Sequence, residues 1–407
     1  MSQEKSIKQK IFEANIETLE SSSIHAIPNI TRNRFYTVKM LWVICFLASS
    51  GICAWFIYNS ITDYLNYDVV TNIEINYLNK IRFPIISICN INSNMLPANL
   101  NETIISCKFN FLDCDIYNDF EIYQDSYYSF CFRFNSGKNM NGTTIKAKYS
   151  YGKGDLNAFN LELYDRQHTD INNLFLTGFV VYLSDEAVDS VTDVGFYIYS
   201  GILTKVSINK NKLIRKSIPY SNCIDELTNV DSYSSECYKK TFSNEKIYKF
   251  SDCANMCLQK FIGDKCDFQL IQLGKSYYKE KRILSILKSM NQTDLQCGIS
   301  CLTKFKNSDE FLKECDCPEE CESSGYTHSL SYANYPTDSY AKYLIKNSLF
   351  FKRFSANYSL ESFKKEILYL RIYFEDMKET VTKQEIKTQL ADLISNLGGT
   401  LGLFLGK

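Results

Sequence analysis

Residues Met40–Tyr58, MLWVICFLASSGICAWFIY, form a run of 19 residues without a charge. A helix of that length is about 28 Å long, close to the hydrocarbon thickness of a bilayer. The run starts 40 residues into the chain and lacks a small-residue cleavage site, so a transmembrane helix is the better reading than a secretory signal. After it the period changes. Apolar and polar residues alternate over Leu176–Leu183 (LTGFVVYL) and Ile367–Phe374 (ILYLRIYF), which predicts strands. In the second, Leu368, Leu370, Ile372 and Phe374 share one face. Cys131–Asn135, Ala158–Tyr164, Leu203–Ile208 and Tyr326–Tyr332 read as further strands. Helical spacing appears in Lys279–Met290, where Ile283, Ile286 and Leu287 make a stripe, and in Ser359–Glu366 and Glu385–Leu397. Strands in the middle of the chain and a helical, cysteine-dense block at 250–321 make an α+β mixture.

Composition narrows the class. The chain has 407 residues, with 45 Lys+Arg against 46 Asp+Glu, so it lacks the basic surplus that a nucleic-acid binder needs. Its 29 Tyr and 27 Phe supply a core. It has 16 Cys but no C-x-x-C pair and only 3 His, so a disulfide-rich ectodomain fits better than a set of metal sites. No H-E-x-x-H, P-loop or G-x-S-x-G occurs, and an enzyme is not expected. No cofactor is implied.

Arg32, Arg34 and Lys39 precede the apolar run, and Asp63 and Asp68 follow it. The positive-inside rule then places the N-terminus in the cytoplasm and the bulk of the chain outside. The expected division is 1–37 cytoplasmic, 38–59 transmembrane, 60–393 a single multi-lobed extracellular unit and 394–407 the start of a second membrane helix. Cys45 and Cys53 lie in the first span, leaving 14 Cys outside. The sequons at Asn101, Asn141, Asn291 and Asn357 all fall on the extracellular side, while Asn29 falls on the cytoplasmic side and is expected to be unused.

Six blocks carry a resemblance. Ser22-Ser23-Ile24-His25-Ala26 is similar to a cytoplasmic S-x-H-G block. Phe83-Pro84-Ile85-Ile86-Ser87-Ile88-Cys89-Asn90 is similar to F-P-A-V-T-I-C-N, and Cys131-Phe132-Arg133-Phe134-Asn135-Ser136-Gly137 to C-Y-T-F-N-S-G. Cys315-Asp316-Cys317-Pro318 through Cys321 is similar to C-x-C-P-x-x-C. Ser331-Tyr332-Ala333-Asn334-Tyr335-Pro336 is similar to S-x-A-x-W-P. Leu397-Gly398-Gly399-Thr400-Leu401-Gly402-Leu403-Phe404-Leu405-Gly406 is similar to the start of a second transmembrane helix. In this order the blocks resemble the superfamily of degenerins, epithelial sodium channels and acid-sensing ion channels, whose members are plasma-membrane, amiloride-sensitive sodium channels.

The resemblance implies a fold: a palm β-sheet, a helical thumb and a finger, the last shortened because only 17 residues separate Cys89 from Cys107. It implies the bridges Cys89–Cys131, Cys107–Cys114, Cys223–Cys321, Cys253–Cys317 and Cys257–Cys315. The last two also suit spacing, since i and i+4 share a helix face and i and i+2 share a strand face. Cys266 is expected to pair with Cys301 and Cys237 with Cys297, and the swapped pairing stays open. Gating is expected to involve His25, although Ala26 replaces the family's Gly, and a contact between Tyr64 and Tyr220. Without the finger side, the carboxylates Asp309 and Glu310 are not expected to sense protons, and the stimulus stays open among tension, a peptide and constitutive opening.

The resemblance further implies a homo- or heterotrimer in membrane lipid, with sodium as the permeant ion. Its pore would be lined from Asn396 through Gly398, Gly399, Gly402, Leu403 and Phe404 to Gly406, the first residue of a G-x-S filter. Asn396 stands where the family has an Asp. Only 11 residues run from Leu397 to Lys407, about half a crossing. A fragment of an intact, multi-pass channel is expected. The alternatives are a short non-conducting regulatory or dominant-negative subunit and a receptor-like ectodomain.

Overall fold

The computed structural model describes residues 7–24, 26–91, 100–125, 128–165, 177–186, 194–244, 248–270, 277–278, 280–284, 291–306, 314–352 and 359–406. The chain divides into two compact units, Met1–Thr71 with Gln384–Lys407, and Asn72–Lys383.

The first unit is helical. Ile7–Glu20 and Ala26–Arg32 are joined by the Arg32 guanidinium, which donates to the Glu20 carbonyl at 2.9 Å. The apolar run lies in a 30-residue helix, Tyr36–Leu65, longer at both ends than the expected 38–59. No Gly or Pro follows Tyr58 to stop it. It ends where Asn66 caps and Tyr67 turns left-handed at φ 53°. Leu41, Ile44, Leu47 and Trp55 are exposed and Cys53 alone is buried, so the chain leaves most of the helix's apolar surface uncovered. The second helix of the pair is Leu390–Phe404, and Glu385 and Ile386, expected to be helical, instead complete the strand Ile367–Ile386. The helix starts later because its N-terminus is set by a capping box, in which the Gln389 amide donates to the Asp392 carboxylate at 3.0 Å.

The second unit holds two main sheets. In the larger, Ile202–Ile214 pairs antiparallel with Glu322–Asn334 and parallel with Ile367–Ile386. Beyond Ile367–Ile386 come Phe159–Tyr164, Ile104–Phe109 and Leu112–Asp113, and Val69–Tyr77 also pairs with Ile367–Ile386. The smaller sheet runs in the order Phe196–Ile198, Phe179–Ser184, Ile85–Asn90, Ser129–Phe134, Phe120–Asp125, all antiparallel. Its central strand, Ile85–Asn90, is buried on both faces, which explains a continuous apolar run in place of alternation. Leu368, Leu370, Ile372 and Phe374 are all buried, as their alternation predicts. Both sheets feed one core, where the Phe134 and Phe159 rings stand 4.3 Å apart and Phe83 meets Phe374 edge-on at 5.7 Å.

Two helices frame the cysteine-dense block, Phe250–Cys266 and Gln292–Lys306. The expected helix over Lys279–Met290 is corrected among its described residues: Arg282–Leu284 is a strand paired in parallel with the buried Phe268–Leu270. Ile283, expected on a helical stripe with Ile286 and Leu287, is exposed in that strand, and the other two lie outside the described residues. Ser359–Glu366 contains the short helix Leu360–Lys364, capped by the Ser359 hydroxyl.

Candidate functional site

In the first unit, the C-terminal helix is built to leave space. A Cβ added at Gly398, Gly399 or Gly402 would meet nothing within 4 Å. Asn396 is exposed, and so is Leu403. At Gly406 the reverse holds, since a Cβ would lie 2.5 Å from the Gly402 carbonyl oxygen. Phe404 stacks on Phe56 of the long helix at 5.7 Å, with ring planes 24° apart. The exposed ends of the pair are tied by Lys387 and Asp68 at 2.9 Å, and that hydrogen bond raises the Lys387 pKa.

In the second unit, Cys253 and Cys257 sit one turn apart on a helix and bridge to Cys317 and Cys315, with Cα separations of 5.9 and 5.7 Å. Asp316 between those partners is left-handed at φ 47° and accepts from the Tyr233 hydroxyl at 2.6 Å, which pushes the Tyr233 pKa up to about 12. Cys223–Cys321, Cys89–Cys131 and Cys107–Cys114 are also present. Cys266 bridges Cys297, the alternative left open by the sequence, in place of Cys301. The expected bridge at Cys237 is corrected, since Cys237 and Cys301 are buried free thiols. Cys297 and Cys301 lie i and i+4 on one helix, so both face Cys266, and spacing cannot choose between them.

One buried and one half-buried polar centre escaped the sequence reading. Glu162 is 1% exposed inside the larger sheet, where it accepts from the Ser106 hydroxyl at 3.0 Å and from the Tyr335 hydroxyl. Burial raises its pKa, against the opposing effect of Tyr335, Ser106 and Tyr340. Asp185 accepts from the Tyr326 hydroxyl and pairs with Lys210 at 3.3 Å, and Lys210 also meets Glu379 at 3.4 Å. Burial pushes Asp185 up, but hydrogen bonds from Tyr326 and Ser324 and the Lys210 charge outweigh it and hold the carboxyl low. No sequence motif marks Glu162 or Asp185 themselves, although Tyr335 lies in the block similar to S-x-A-x-W-P.

The other expected residues are scattered. His25, Asn357, Asp309 and Glu310 lie outside the described residues. Tyr64 belongs to the first unit and Tyr220 to the second, where the Tyr220 amide donates to Ser217 in a turn before Cys223. Asn141 and Asn291 are exposed, and the Asn291 side chain accepts from the Asp294 amide at the start of its helix. The Asn101 side-chain amide donates to the Tyr117 hydroxyl at 2.6 Å.

One 30-residue helix is long and apolar enough to cross a membrane, and the same chain carries a disulfide-braced α and β unit. The chain belongs to the amiloride-sensitive sodium channel family, whose model matches residues 18–94 and 92–407. It is 24% identical over 447 residues to the human (Homo sapiens) bile acid-sensitive ion channel, covering 95% of this chain and 81% of that one. It is 22% identical over 455 residues to the Gallus gallus acid-sensing ion channel 1, covering 95% and 80%. The gamma subunit of the Pelodiscus sinensis epithelial sodium channel is 24% identical over 317 residues, covering 75% and 43%. The protein is therefore a member of an ion-channel family and not an enzyme.

Proposed function

We propose that this chain is a subunit of a trimeric, amiloride-sensitive, sodium-selective channel of the degenerin type, gated through its extracellular part. The family match over residues 18–94 and 92–407 carries the reading. On it, the N-terminus is cytoplasmic, the channel is multi-pass in the plasma membrane, and Asn72–Lys383 faces outward with its sheets as palm and its cysteine-braced helices as thumb. The open glycines of Leu390–Phe404 support a pore role, because small residues let an ion approach the backbone. Gating passes through His25 and through a coupling of Tyr64 with Tyr220. The outer sequons carry glycans, and no cofactor takes part beyond the permeant sodium ion. Recording sodium current from cells that display the protein tests the reading, and counting photobleaching steps of tagged subunits, three per spot on this reading, tests the assembly.

A further inference from the structure

The Sγ atom of Cys301 lies 3.5 Å from Sγ of Cys266, the sulfur already bridged to Cys297. All three sulfurs fall within 4.8 Å of one another. Cys266 is the last residue of its helix, which Asp267 ends in a left-handed turn at φ 58°. Cys297 and Cys301 stand one turn apart on the facing helix Gln292–Lys306. A cleft of about 440 Å³ opens on this cluster, with Cys297 and Cys301 in its wall beside Lys265 and Lys304. That size admits a small molecule.

We propose that Cys301, Cys266 and Cys297 form a thiol–disulfide exchange site in which the bridge moves by one helical turn. The Cys301 thiol loses its proton to solvent, and the thiolate attacks Sγ of Cys266. The Cys301–Cys266 bond forms as the Cys266–Cys297 bond breaks. Cys297 leaves as a thiolate and takes up a proton. The electrons balance within the three sulfurs, so the step needs no oxidant or reductant. Because the two bridging positions are four residues apart on one helix, the exchange shifts the staple's anchor about 6 Å along Gln292–Lys306 and gives the two helices two braced arrangements. Burial pushes the Cys301 thiol up, while Lys304 and Lys265 pull it back. Exchange is therefore slow at neutral pH and faster in base, rising about tenfold per pH unit while the thiol stays mostly protonated. The inference does not depend on whether the protein conducts.

The test is a map of the free thiol in the intact chain. Protein held at neutral or alkaline pH is quenched in mild acid, unfolded in denaturant and alkylated with N-ethylmaleimide. After reduction the remaining cysteines receive iodoacetamide, and fragment mass spectrometry reads which of Cys297 and Cys301 carries which label. The expected result is maleimide on Cys301 at first, with a share moving to Cys297 faster at higher pH. The Cys301→Ser variant should never show maleimide on Cys297, and Cys237→Ser should behave as the unmodified chain. Cys297→Ser should join Cys266 to Cys301. Maleimide confined to Cys301 after a long alkaline hold would overturn the proposal. So would its absence from both positions, or labelling of Cys297 in Cys301→Ser.

Discussion

Glu162 accepts the hydroxyl hydrogen of Tyr335 inside the larger sheet, so a carboxylate that is 1% exposed is held by a phenol. Removing that hydroxyl leaves a buried acceptor short of a partner, which costs about 1–3 kcal/mol. Tyr335→Phe should lower unfolding stability by that amount, and in the Glu162→Gln background the loss should shrink. The Glu162 pKa lies above its unfolded value, so the folded chain holds this proton more tightly. The group then counts against the fold as pH rises above about 4.3, and its effect is absent below. Denaturant titrations across pH should show Glu162→Gln gaining on the unmodified chain as pH increases.

The braces should differ by the loop each one closes. Cys253–Cys317 spans a sequence separation of 64 and Cys107–Cys114 one of 7. The loop-entropy relation then makes the longer brace worth about 2 kcal/mol more. Serine replacement of each pair, followed by chemical unfolding, should show the larger loss for Cys253 with Cys317. Equal losses would mean that native-state packing sets the effect instead.

Ile367–Phe374 could be read because one face is buried and the other is not, and period two records that difference. Its continuation to Ile386 was hidden, because residues 375–386 carry little burial contrast and are fixed by pairing with distant strands. Glu162 was invisible because Phe159–Tyr164 is buried on both sides, and only the fold brings Tyr335 and Ser106 to it. The cysteine ladder was legible through the resemblance, and helix and strand periods agree with the nested pairs Cys253–Cys317 and Cys257–Cys315. At Cys266 the choice stayed open, because two cysteines on one helix face compete.

The open glycines should separate stability from conduction. With nothing within 4 Å of an added Cβ, Gly398→Ala and Gly402→Ala should each favour the helix by about 1 kcal/mol. If that face lines the pore, the same variants should still reduce current. Circular dichroism of the purified protein and current recording together check both halves.

The proposed coupling of Tyr64 and Tyr220 predicts non-additive gating. Alanine at both positions should shift the open–closed equilibrium by an amount that differs from the sum of the single variants by more than about 0.5 kcal/mol. Additive shifts in a double-mutant cycle would remove the proposed coupling from the gating path.

The most direct measurement of the central claim is voltage-clamp recording from cells whose surface display of the protein has been verified, with amiloride and with external sodium replaced by a large organic cation. A sodium-selective channel of the degenerin type gives an inward current that amiloride blocks reversibly and that disappears when sodium is withdrawn. Protein present at the surface with no sodium-dependent, amiloride-blockable current, under tension, peptide or resting conditions, would contradict it.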